Sequence, residues 1–207
     1  IKAALIADEQ RHLALGLRPR ISYKGRDLFA AAVGGAASAT AAAEAVFSDA
    51  LVGLAAATHR AYRAQLVKSG AAAFERVVHA YLVAAGWTGV EWIKRVMGTA
   101  YAVATPPGGG AAVLVGARSG DTSIDRRGVG ELRVGVEAKD MLWGLLVAPR
   151  ELSEDAEREL ARPGRSIALL VGDALVRALI DIGIGVVRTT APVAFLDDAS
   201  LGELLEA

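Results

Sequence analysis

From residue 144 onward the chain alternates an apolar run, a helix signal, a second apolar run and a second helix signal. Leu145–Ala148 reads as a buried strand, and Ser153 is a good N-cap for the helix that follows. Glu154 and Asp155 in its first turn suit the positive end of the helix dipole. Pro163-Gly164 stops that helix, Ile167–Val171 forms the next strand, and Asp173 caps a helix over 174–181. This alternation constrains the fold most: it requires an α/β layer with a central sheet. Upstream, Ser69-Gly70 precedes a helix over 71–85, which Gly86 ends in the usual C-terminal position. Thr105-Pro-Pro-Gly-Gly-Gly110 is a turn leading into a strand over 111–116. No Gly-Lys-Ser/Thr follows it, which excludes a nucleotide P-loop.

Chemistry concentrates between Ser119 and Lys139. Leu132–Ala138 has strand character, and a strand's period of two puts Glu137 and Lys139 on one face. A reversal at Gly130-Glu131-Leu132 would set Asp125 opposite Glu137 across an antiparallel pair, with Cβ atoms about 4.5–5.5 Å apart. Two acids at that spacing can share a hard divalent cation, and a lysine beside them can steady an attacking water or phosphate charge. The same row of charges also suits a solvated strand face.

Four stretches resemble the PD-(D/E)-x-K nuclease superfamily, most closely its Mrr-type restriction endonuclease branch. Phe74-Glu75 opens a helix ending in Leu82-x-x-x-Gly86-Trp87, like the family's first helix. Gly120-Asp121-Thr122-Ser123-Ile124-Asp125 is similar to its D-G-G-I-D, and Val136-Glu137-Ala138-Lys139 to its (E/Q)-A-K. Residues 144–186 resemble its strand, Ser-initiated helix, strand and final helix. The resemblance implies a restriction-endonuclease-like α/β core, a central mixed sheet flanked by helices, with an N-terminal helical extension. It implies Asp125, Glu137 and Lys139 as catalytic residues. Asp125, Glu137, the Ala138 backbone carbonyl and Glu75 would be the metal ligands, and Asp121 a turn residue. Mg²⁺ is the implied cofactor, with Mn²⁺ as a substitute, and double-stranded DNA the substrate of a homodimer. A type II restriction enzyme is the first expectation. The alternatives are a modification-dependent (Mrr-type, type IV) or repair nuclease, or a catalytically silent DNA-binding protein with this fold. In the family a helix of some length separates the E-x-K strand from the next, parallel strand. Here only Asp140-Met141-Leu142-Trp143 lies between Lys139 and Gly144, so either a segment is missing or the two strands form a hairpin.

With 207 residues, 53% of them hydrophobic, the chain can bury a sizeable core. The expected division is a helical extension over 1–70, serving DNA recognition or dimerisation, a nuclease core over 71–187 and a tail over 188–207. The absence of cysteine excludes a disulfide scaffold and cysteine-held zinc. The zero net charge conceals a split: residues 1–100 carry 12 basic and 7 acidic side chains, and residues 101–207 carry 11 and 16. A basic first half fits a DNA-facing helical part. Within it, 44–67 reads as a helix whose end presents His59, Arg60, Arg63 and Lys68, and the i, i+4 pair His59 and Arg63 could contact phosphate. Short helices are also expected over 1–17 and near 201–205. The uncharged stretch 28–43 is too short and too weakly apolar to span a bilayer. A cytoplasmic protein without membrane contact is therefore expected.

Overall fold

The computed structural model describes residues 22–23, 26–27, 39–96 and 98–188. The helices expected over 1–17 and near 201–205 lie outside the described residues. The chain divides into two compact units, Ile1–Ala55 with Thr190–Ala207, and Ala56–Thr189. In the first, β1 (Ser22–Tyr23) pairs antiparallel with β2 (Arg26–Asp27). Helix α1 (Ala39–Lys68) begins in the first unit and ends in the second.

The second unit is a mixed five-stranded sheet in the order β3-β4-β5-β6-β7, flanked by helices. Its strands are β3 (Thr88–Val96), β4 (Thr99–Thr105), β5 (Val113–Arg118), β6 (Trp143–Ala148) and β7 (Ser166–Val171). The first three form an antiparallel meander, whereas β5, β6 and β7 run parallel. Helix α2 (Ala71–Ala84) precedes the sheet, α3 (Arg126–Ala138) joins β5 to β6, α4 (Glu154–Leu160) joins β6 to β7, and α5 (Gly172–Ile182) follows β7. One face of the sheet packs Ala102, Val115, Ala117, Leu145 and Val147 against Phe74, Val78 and Leu82 of α2 and Leu175, Val176 and Leu179 of α5. The other packs Tyr101, Leu114, Leu146 and Ala148 against Val129, Leu132 and Val136 of α3 and Ala156 of α4. This is the α/β restriction-endonuclease-like core expected from the sequence.

Two local expectations are corrected. Residues 132–138 are helical, not a strand, because the buried set Val129, Leu132, Arg133 and Val136 follows the i, i+3, i+4, i+7 stripe of a helix face. Consequently no segment is missing before Gly144, and 132–138 and 144–148 form no hairpin. The connection from Arg118 to Trp143 already contains the crossover helix that a parallel pair needs. The second correction is an addition, since β3 and β4 form an antiparallel hairpin across 88–105, where the sequence reading placed no strand.

Candidate functional site

Asp125 has extended backbone and caps α3, its side chain accepting from the Gly128 amide at 3.0 Å. Arg118, the last residue of β5, brings Nη1 to 3.5 Å from the same carboxylate. Glu137 lies in the last turn of α3, and Lys139 is its C-cap. With a rise of about 1.5 Å per residue, about 18 Å of helix axis separates Asp125 from Glu137. The cross-strand juxtaposition of these two acids is therefore corrected: they sit at opposite ends of one helix. Asp125 and Lys139 border the same groove along α3, and Glu137 does not line it. Ala138 is the last residue of the helix, at the Glu137 end.

Glu75, the acid of the first helix, is tied up elsewhere. Its two carboxylate oxygens accept from Arg95 Nε and Nη2 of β3 at 2.7 and 2.6 Å. This bidentate pair, reinforced by the charge of Glu75, holds the Arg95 guanidinium above its ordinary pKa. Asp121 is exposed in the loop after β5. Among the DNA-contact candidates, Arg63 donates to the Asp173 carboxylate at 2.6 Å and reaches Glu151 at 3.4 Å. His59 Nε2 lies 3.3 Å from the Asp173 carbonyl oxygen. Both side chains of that i, i+4 pair thus dock on the start of α5, while Arg60 and Lys68 are exposed.

The topology identifies which strand stands where the resemblance puts E-x-K. That strand precedes a helix and then a parallel strand, and β5, followed by α3 and β6, meets the description. It reads Val-Leu-Val-Gly-Ala-Arg, with no carboxylate and no lysine. Its neighbour β4 reads Thr-Ala-Tyr-Ala-Val-Ala-Thr, again without an acid. On the face toward α2 these strands present Ala102, Ala104, Val113, Val115 and Ala117, all buried in the core. On the other face stands a small polar set that the sequence reading missed. Thr99 pairs with Arg118 and Tyr101 with Gly116. Burial raises the Tyr101 pKa, the Glu131 carboxylate adds to the rise, and the Arg118 charge and the neighbouring Thr99 hydroxyl oppose it. The register of β4 on β5 would have revealed this set, but the small residues of β4 carry a weak strand signal.

Mg²⁺ demands near-octahedral oxygen donors at about 2.0–2.1 Å. The two acids nominated for it stand a helix length apart, and Glu75 is neutralised by Arg95. Among the described residues no three His, Asp or Glu side chains converge. The described residues nominated for it therefore do not fit the cation that the resemblance implies.

An antiparallel meander continued by parallel strands, with helices on both faces, defines a restriction-endonuclease-like domain. The family described as restriction endonuclease, of the Mrr catalytic type, matches residues 66–179, more than half of the 207, and the chain belongs to it. That is a family of restriction-type nucleases, phosphodiester hydrolases whose substrate is DNA. No curated protein and no solved structure matches the chain. No helix among the described residues is long and apolar enough to cross a membrane.

Proposed function

We propose that this chain uses the restriction-endonuclease fold to bind double-stranded DNA without hydrolysing it at a metal centre built from β4 and β5. The observation that carries this reading is the composition of β5. The strand in the E-x-K position holds no carboxylate, and Arg118 is its single charged side chain. Type II, modification-dependent and repair cleavage all need the same donor set, so the silent member of the family is favoured over each of them. Asp125, with its lone pairs on the Gly128 amide and beside Arg118, serves the fold as a helix cap.

The test is incubation with supercoiled plasmid and a labelled duplex at low salt, in Mg²⁺, in Mn²⁺ and in chelator. A gel shift of the duplex that weakens steeply with salt is expected, with the plasmid uncut in all three conditions. Metal-dependent nicking or linearisation would overturn the proposal. If cleavage appeared and Glu137→Ala abolished it, the helix-borne acids would be restored as ligands.

A further inference from the structure

Helices α2 and α5 cover one face of the sheet, but the opposite face is covered only in part. There α3 packs on β5, β6 and β7, and α4 packs on α3, while no described helix lies over the β3–β4 half. The uncovered half is the floor of a groove of about 980 Å³. Val96, Tyr101 and Leu114 form its base, and Ile93 and Val134 stand on its two sides with 40% and 63% of their surface exposed. Exposed apolar walls on both sides make it a trough, too open to enclose a drug-sized ligand, whose surface is usually buried by 70–90% or so.

Charge selects among the occupants that a trough can take. The four carboxylates that line it are all engaged by arginines: Asp125 by Arg118, Glu131 by Arg127, Asp155 by Arg158, and Glu159 by Arg126, Arg133 and Arg162. Two lysines on its lining, Lys94 and Lys139, have no ion-pair partner among the described residues. The free charge facing an occupant is therefore positive. The exposed walls Ile93 and Val134 are apolar, which suits the side chains of a protein partner better than a phosphate backbone.

We propose that this groove docks an acidic amphipathic helix from a partner protein, whose apolar stripe lies against Ile93, Val96 and Val134, above the buried Tyr101 and Leu114. Its flanking carboxylates meet Lys94 on the strand side and Lys139 at the end of α3. Such a helix completes the half-covered layer and packs beside α3 at the usual interaxial distance of about 8–10 Å. It is the helix-in-groove mode of recognition, with affinity from the apolar stripe and orientation from the charges. This inference stands independently of the DNA-binding proposal.

Fluorescence anisotropy of the full chain with labelled helical peptides of about 16 residues tests it. One peptide carries leucines at i, i+3, i+4 and i+7 with glutamates on the flanks, and its control carries lysines there instead. Saturable binding of the glutamate peptide is expected, about tenfold or more tighter than the lysine peptide. Val134→Asp, a change at an exposed position, should weaken it about tenfold at unchanged circular dichroism. The double change Lys94→Glu with Lys139→Glu should reverse the preference. Equal binding of both peptides, no saturable binding, or indifference to Val134→Asp overturns the proposal. It is equally overturned if duplex DNA displaces the peptide competitively, or if the groove proves to hold a second copy, seen as a dimer in sedimentation that Val134→Asp dissolves.

Discussion

Glu159 shows what one side chain can carry. Its carboxylate accepts from Arg133 at 3.0 Å and Arg126 at 3.1 Å and lies 3.0 Å from Arg162, so one acid on α4 gathers three guanidinium groups. Arg133 is buried in α3, and its Nη2 also donates to the Leu160 carbonyl at 3.1 Å. Removing the partner of a buried charge costs about 3–5 kcal/mol, because the remaining ion has been desolvated for nothing. Glu159→Ala should therefore lower the unfolding free energy by roughly that much in urea titrations. Arg162→Ala, with a solvated guanidinium, should change it by about 0–1 kcal/mol. Glu137→Ala offers the opposite case. The side chain is exposed and has no ion-pair partner among the described residues, so stability should shift by less than about 0.5 kcal/mol. Retention of duplex binding by that variant would agree with the site geometry, and its loss would return Glu137 to the functional surface.

At the scale of elements, helix α3 shows why part of the site was illegible in the sequence. The downstream alternation of β6, α4, β7 and α5 was readable, since compact apolar runs are punctuated by Ser153, Pro163-Gly164 and Asp173. In α3, three glycines, Gly128, Gly130 and Gly135, lower the local helix propensity, and the i, i+2 series Val134, Val136, Ala138 imitates a strand. Only Val136 of that series is buried, while Val134 is exposed. The helical stripe from Val129 to Val136 was present but was outweighed by the charge pattern. Tertiary burial decided the outcome, and with it the separation of Asp125 from Glu137. The same reading predicts a modest role for Asp125. Asp125→Ala should cost about 1 kcal/mol through the lost cap, whereas Asp125→Asn, which can still accept from the Gly128 amide, should cost only a few tenths. Thermal denaturation of the two variants separates a cap from a metal ligand, since asparagine would not spare a ligand. Gly144 at the start of β6 marks the close approach of α3: an added Cβ would sit 2.8 Å from Val136 Cγ2 and 3.2 Å from the Leu114 carbonyl oxygen. Gly144→Ala should cost about 1–3 kcal/mol by overpacking.

Across the whole molecule, stability should depend on alkaline pH in a definite direction. Burial raises the phenol pKa of Tyr62, Tyr81 and Tyr101 above the ordinary value of 10.0. The folded chain thus keeps these protons where the unfolded chain gives them up. The associated stability is fully present below about pH 10 and is lost as pH rises through the folded-state values. Melting temperature should fall from pH 9 to pH 11, and Tyr101→Phe should flatten part of that fall. An unchanged slope in the variant would contradict the assignment. The plan of the molecule was legible at α2, at β5 and from β6 onward, where order and type of element survive small errors of boundary. The location of the chemistry was not, since it turns on which strand lies beside which, and β4 with its alanines declares itself only once paired.

The clasp between Glu75 and Arg95 bears on any attempt to build a cation cradle into these strands. Grafting carboxylates at Ala102 and Val115 and an amine at Ala117 would place three charges at sites where no more than 3% of the residue surface meets solvent. The first-helix acid would still be spoken for. A cation cradle there would require loosening Arg95 as well as rewriting both strands.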